Sequence, residues 1–98
     1  RENLLESLQW AAATLDRDPL HWLDLAGGPA HYMLDFLGQH PKANWLVSVN
    51  DFDTHSVEAG RELSQRVGER RIFYRQGDGL DPDYIAQLGP CDVVVVDG

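Results

Sequence analysis

The chain is short of cysteine, of basic charge and of long apolar runs, and each shortage excludes something. Cys91 is its one cysteine, so no disulfide can form within these 98 residues. Set in an apolar stretch, it reads as an inert buried thiol. Lys and Arg total 8 against 16 Asp and Glu, giving a net charge of −8. A surface for nucleic acid or anionic lipid needs clustered cations. The densest candidate, Glu69-Arg70-Arg71 with Arg66 and Arg75, is small and interrupted by acid, so no nucleic-acid partner is expected. No apolar run approaches bilayer length and no signal peptide is visible, so membrane insertion is not expected and a cytoplasmic location is the default. No His-plus-carboxylate spacing suggests a metal site. Repeats, low-complexity tracts and linkers are missing too.

What is present suits a globular core. Hydrophobic residues make up 43% of a chain long enough for one domain. It starts at Arg1 rather than Met and stops just after its most hydrophobic segment, so both ends read as cuts in a longer protein. Residues 2–17 carry Leu4, Leu5, Leu8, Ala11, Ala12 and Leu15 at helical spacing, and Pro19 ends that helix. A first strand is expected at 21–26, followed by the break Gly27-Gly28-Pro29. Pro29 suits the first turn of a helix running to about Gln39. The second strand covers 45–50. Asp53 or Thr54 then caps a helix over 55–67 that ends at Gly68. Strand three covers 71–75, and a short helix over 81–88 is capped by Asp81 and opened by Pro82. Strand four covers 92–97. Its four consecutive valines do not alternate with polar residues, which predicts cover on both faces. Trp10, Trp22 and Trp45 fall on apolar faces and are expected in the core. Strands alternating with helices predict a parallel α/β sheet with right-handed crossovers. The expected division is an N-terminal helix over 1–19 and a Rossmann-like unit over 20–98.

In such sheets, ligands bind beyond the carboxyl ends of the strands. Those ends carry Asp24, Asp51, Gly77-Asp78-Gly79 and Asp97. Acids converging on one rim repel a pyrophosphate and suit hydroxyls, an amine and a cation. The side-chain-poor turn Ala26-Gly27-Gly28 lets backbone amides approach a ligand closely. Asp51 stands roughly 20 residues beyond it, as expected of an acid accepting hydrogen bonds from two ribose hydroxyls. Phe52 could lie against a purine face. Asp78 could accept from an adenine amino group while the Gly79 amide donates to a ring nitrogen. Asp24 could sit near an ammonium group, and Asp97 could face the substrate. His31 and Tyr32 follow the turn and could line the pocket, with an ordinary helix-face position as the alternative.

The stretch Asp24-Leu25-Ala26-Gly27-Gly28-Pro29-Ala30 resembles the first motif of class I S-adenosylmethionine-dependent methyltransferases, Asp/Glu-x-Gly-x-Gly-x-Gly. An acid after strand two, Gly-Asp after strand three and an apolar run ending in Asp97 look like the same family. Asp51-Phe52-Asp53, Gly60-Arg61-Glu62-Leu63 and Gln76-Gly77-Asp78 are similar to a sparsely characterised bacterial group of methyltransferases, some fused to hydrolase-like domains. The resemblance covers about residues 20–98. It implies strand order 3-2-1-4, the first half of a seven-strand fold, with S-adenosylmethionine as cofactor. It places Gly27 and Gly28 along the methionine portion, Asp51 at the ribose, and Asp78 with Gly79 at the adenine. Ala26 and Ala30 stand where the family has glycine. Alanine fits there if φ is negative, though its methyl narrows the loop.

The expected function is methyl transfer to a small-molecule or lipid-like substrate, with no catalytic base named within the chain. Two alternatives stand beside it. A nicotinamide-dependent oxidoreductase needs Gly-x-Gly-x-x-Gly, and Ala30 and Met33 occupy the later glycine places. A non-catalytic Rossmann-like scaffold would tolerate both alanines. Oligomeric state is not legible.

Overall fold

The computed structural model describes residues 4–96. Helices α1 (Leu4–Leu15), α2 (His31–Gln39), α3 (Thr54–Val67) and α4 (Pro82–Gln87) alternate with strands β1 (Leu20–Leu25), β2 (Trp45–Asp51), β3 (Ile72–Gln76) and β4 (Val93–Val96). The strands are parallel, as the alternation predicts, and run in the order β3-β2-β1-β4 that the resemblance implies. The start of the first helix at residue 2 and the end of the fourth strand at Asp97 lie outside the described residues.

Register decides which side chains meet. Trp22 is level with Val47 and with Val93, and Val47 with Ile72. Side chains alternate along each strand, so Leu20, Trp22, Val47, Val49, Ile72, Tyr74 and Val95 share one face. That face is buried against Met33, Phe36 and Leu37 of α2, Val57 of α3 and Leu8 of α1. Its densest part is aromatic. Phe36 stacks on Trp45 at 4.9 Å between centroids, and Trp22 meets both rings edge-on at 5.1 and 5.5 Å, geometries the ring quadrupole favours.

Three expectations change here. Trp10 is 70% exposed, because α1 buries only Leu8 fully and turns Trp10 away from the core. β4 is not covered on both faces: Val95 is buried, but Val94 and Val96 are 54% and 68% exposed. Among the described residues the opposite sheet face carries the six-residue α4 alone, and Leu46 and Phe73 stand exposed as well. Cys91 precedes β4 rather than lying within it and is half-buried. Burial, then the charge of Asp92, pushes its thiol pKa up, which keeps it protonated and unreactive.

Local chemistry fixes the helix ends. Asp53 caps α3 by accepting from the His55 amide and the Ser56 hydroxyl, and Gly68 closes it at φ 75°. Asp81 caps α4 with Pro82 in the first turn. α2 differs from expectation. Pro29 does not open it, because Ala30 is left-handed (φ 54°, ψ 51°) and the helix starts at His31 with no side-chain cap. None of these helices is long and apolar enough to cross a membrane.

One side chain organises the far end of α2. Arg71 donates to the carbonyls of Leu37, His40 and Ala43 and makes a bidentate pair with Glu69, at 2.8 Å from Nε and 2.7 Å from Nη2. It adds a second donor to the Leu37 and His40 carbonyls, which also accept from the His40 and Ala43 amides, and ties the end of α2 to the start of β3. Arg71→Met should cost about 2–4 kcal/mol, read by urea denaturation, since the Glu69 carboxylate and the Ala43 carbonyl lose the guanidinium together while two further carbonyls lose their second donor. The Arg71 guanidinium also holds the Glu69 carboxyl below its ordinary 4.5, against the opposing effect of burial. The resulting stability is complete above that value and is lost as pH falls through the lowered one. Glu69→Gln should therefore flatten part of the acid limb of the urea midpoint against pH, and an unchanged limb would refute the pairing's role.

Candidate functional site

The turn after β1 carries an unusual backbone. Ala26, Gly28 and Ala30 have φ of 60°, 58° and 54°. The condition under which alanine was expected to fit, a negative φ, is not met at either alanine. A left-handed conformation costs an L-residue about 1–2 kcal/mol, so something must hold it. The Ala26 amide donates to the Asn50 carbonyl at 2.7 Å, the Gly28 amide to Asp51 Oδ2 at 2.7 Å, and the Ala30 amide to the Gly27 carbonyl at 3.0 Å. The Tyr74 hydroxyl donates to the Pro29 carbonyl at 2.7 Å. The turn thus keeps a glycine-type path at positions where glycine is absent.

Asp24 lies beneath this turn, fully buried, and accepts from the Tyr32 hydroxyl. A Cβ on residue 27 would stand 2.6 Å from Asp24 Oδ1, so Gly27 is required by the acid below it. Burial, with the charge of Asp24 second, pushes the Tyr74 pKa up to about 12; this tyrosine stays a hydrogen-bond donor at any working pH. Asp24 is therefore part of the floor under the turn rather than of the open rim.

Asp51 ends β2 and faces both loops. Its Oδ2 accepts from Gly28 and its Oδ1 from the Asp53 amide at 2.8 Å. Each oxygen retains a lone pair. Its carbonyl accepts from the Gly77 amide at 2.9 Å. Asp78 is exposed, and its Oδ1 accepts from the Leu80 amide at 2.9 Å, fixing a tight turn.

Leu25, Ala26, Asp51, Phe52, Asp78, Gly79, Leu80 and Val96 line one cavity of about 270 Å³ at the carboxyl ends of the strands. Five of these were expected at the site from sequence: Ala26, Asp51, Phe52, Asp78 and Gly79. Phe52 and Leu80 stand at 72% and 91% exposure, two apolar surfaces beside two carboxylates. Gly27 instead borders a separate hollow of about 300 Å³ with Leu4, Pro29, Ala30, His31 and Tyr32, across the turn. Gly28 spends its amide on Asp51, and Gly77 is buried. Asp97 lies outside the described residues. Leu80 was missed, although it follows Gly77-Asp78-Gly79 directly and that placement was the available signal. A larger apolar hollow, about 660 Å³ between α1 and β4, touches none of the rim acids. Among the described residues, no His, Cys, Asp or Glu group could hold a metal ion.

The donor set fits an adenosyl group. Two carboxylates beside a cavity can accept from a diol and an amine, and flanking apolar surfaces can cover a purine ring.

A parallel 3-2-1-4 sheet with this turn and these rim acids is a Rossmann-like unit with the strand order found in methyltransferase folds. The chain belongs to the family described as "Putative methyltransferase", whose model matches residues 1–98. It is 30% identical over 69 residues to the uncharacterized protein YnbC of Escherichia coli (strain K12), covering 69% of this chain and 12% of YnbC. Among solved structures, it is similar to PKMT2 from Rickettsia typhi in complex with AdoHcy, with TM-score 0.68, 22% identity, and coverage of 81% of this chain and 14% of that one. It is similar also to a protein-L-isoaspartate O-methyltransferase, with TM-score 0.66, 18% identity, and coverage of 92% and 28%. The chain thus spans less than a third of each of these proteins.

The turn makes a direct prediction. Gly27→Ala should cost about 1–3 kcal/mol by overlap with Asp24. Ala26→Gly, exposed and freed of its left-handed strain, should instead gain up to about 1 kcal/mol. Thermal denaturation of the full-length protein reads both, and a loss of stability in Ala26→Gly would contradict the strain.

Proposed function

We propose that this chain is the cofactor-binding part of a methyltransferase that uses S-adenosylmethionine. The observation that carries the reading is the single cavity joining Asp51, Phe52, Asp78 and Gly79 beside the left-handed turn. Family membership supports the same reaction class. In this reading, Asp51 accepts from the ribose hydroxyls with the lone pairs left over from Gly28 and Asp53. Phe52 covers one purine face. Asp78 accepts from the adenine amino group and the Gly79 amide donates to the ring. The Ala26–Ala30 turn, with Asp24 below Gly27, shapes the methionine end, and Asp97 belongs to the substrate side. When bound, S-adenosylmethionine supplies an electrophilic methyl group on a sulfonium.

The chain's own contribution is orientation and exclusion of competing ligands, so proximity rather than acid–base chemistry dominates what these residues do. The acidic balance favours a small-molecule or lipid-like substrate over nucleic acid and goes with a cytoplasmic setting. Residues 1–19 are read as an N-terminal helical segment preceding the Rossmann-like unit of 20–98.

The test is calorimetric titration of the full-length protein with S-adenosylhomocysteine, S-adenosylmethionine and NAD. Binding of the first two with dissociation constants of about micromolar order is expected. Asp51→Asn should weaken it about 10- to 100-fold, the value of a charged hydrogen-bonding partner. Binding of NAD alone would replace this reading with an oxidoreductase, and a folded protein that binds none of the three would leave a scaffold.

A further inference from the structure

Tyr84 was not singled out by any motif, and it does not line the cavity. Yet it sits where two rim loops meet. A Cβ on the buried Gly77 would overlap the Tyr84 ring, so the ring packs directly against the backbone that leads into Asp78. Its hydroxyl donates to Asn50 Oδ1 at 2.6 Å. Asn50 is fully buried and immediately precedes Asp51. Its own amide group makes only a long 3.4 Å contact to the Ser48 carbonyl, while its backbone carbonyl receives Ala26 at 2.7 Å. Helix α4 is too short to hold a position by itself. The Tyr84 ring against Gly77 and its hydroxyl on Asn50 tie the helix to this sheet face.

We infer that Tyr84 is a positioning residue that couples the Asp78 loop to the Asp51 loop through Asn50, and so sets the ring selectivity of the cavity. This rests on the proposed adenosyl reading for its ligand, but the coupling itself is a property of the unliganded chain. Removing the hydroxyl leaves Asn50 Oδ1 buried without its donor and lets α4, Gly77 and Asp78 shift together relative to Asp51. An acceptor placed for an exocyclic amine loses its advantage when its distance from the ribose-side acid is no longer fixed.

The experiment uses the full-length protein and Tyr84→Phe, which keeps the ring over Gly77. Two readouts are taken. The first is the ratio of dissociation constants for S-inosylhomocysteine and S-adenosylhomocysteine, which differ at the ring amine. The variant should reduce this ratio about five- to tenfold, the value of one hydrogen bond, whereas a general loss of stability would weaken both ligands alike. The second is amide hydrogen exchange without ligand. Exchange should quicken together at Leu80 and at Asp53, whose amides report the Asp78 and Asp51 carboxylates. An unchanged ratio in a variant that still binds, or faster exchange confined to α4, overturns the inference. If the wild-type protein binds neither ligand, the adenosyl reading fails, and joint quickening at Leu80 and Asp53 still establishes the coupling while its absence refutes it.

Discussion

Everything at the rim depends on two adjacent residues at the end of β2. The carbonyls and side chains of Asn50 and Asp51 accept from the turn after β1, from the start of the loop after β3, from the loop after β2 and from α4. Three connections that are far apart in sequence are thereby held to one central strand end. Parallel strands supply no such links themselves, because each loop leaves the sheet for a helix. Without these acceptors the turn amides of Ala26 and Gly28 would lose their protein partners, and the buried Gly77 amide would face the cost of an unmade hydrogen bond.

That set of bonds explains how the turn survives its alanines. A glycine reaches φ near 60° at no steric cost, whereas alanine must be held there. Two left-handed alanines together oppose folding by about 2–4 kcal/mol. They persist because Asn50, Asp51 and Tyr74 each take or give a hydrogen bond at that point. Strain that the surroundings over-determine is the kind found at ligand sites. The alanines therefore do not flatten the turn; they add methyl groups to a path of unchanged shape. At residue 26 that methyl borders the cavity, so the substitution narrows the site directly.

The sequence was most readable where structure is local. Asp53, Gly68 and Asp81-Pro82 are capping signals that act within a turn of the helix, and each holds the position expected of it. The parallel sheet and the placement of Asp51 and Asp78 at one rim follow from alternation and spacing, whereas the strand order came from the family resemblance. Reading failed where a distant partner decides. Alanine prefers the right-handed helix, so nothing near Ala30 announces that α2 starts at His31, two residues past Pro29. Asp24 was read as a rim acid because it stands near a strand end. Strand alternation instead puts it on the same face as Trp22, under the helices. Trp10 lies near a helical apolar stripe, but burial needs a facing surface, and the described residues offer none. Tyr84 has no local signature at all, since its role arises from a glycine seven residues earlier and an asparagine on another strand.

Charge placement then bears on which ligand such a rim can take. Its side chains within reach of the cavity are two carboxylates and apolar groups, with no cation among them. The cations with assigned partners are used elsewhere: Arg71 on α2 and Glu69, Arg61 on the Tyr74 carbonyl, Arg17 on Asp92. A dinucleotide would bring a diphosphate to this rim, where like charge is repelled and, among the described residues lining the cavity, no arginine or lysine offsets it. A sulfonium nucleoside brings one positive centre, an ammonium, a diol and an amine, each of which gains from a nearby carboxylate. The helix start of α2 offers uncapped amides to a single carboxylate, but one helix end is a weak counterweight to two fixed acids. Under the function proposed above, the acids placed around this turn favour a cationic adenosyl ligand over a diphosphate.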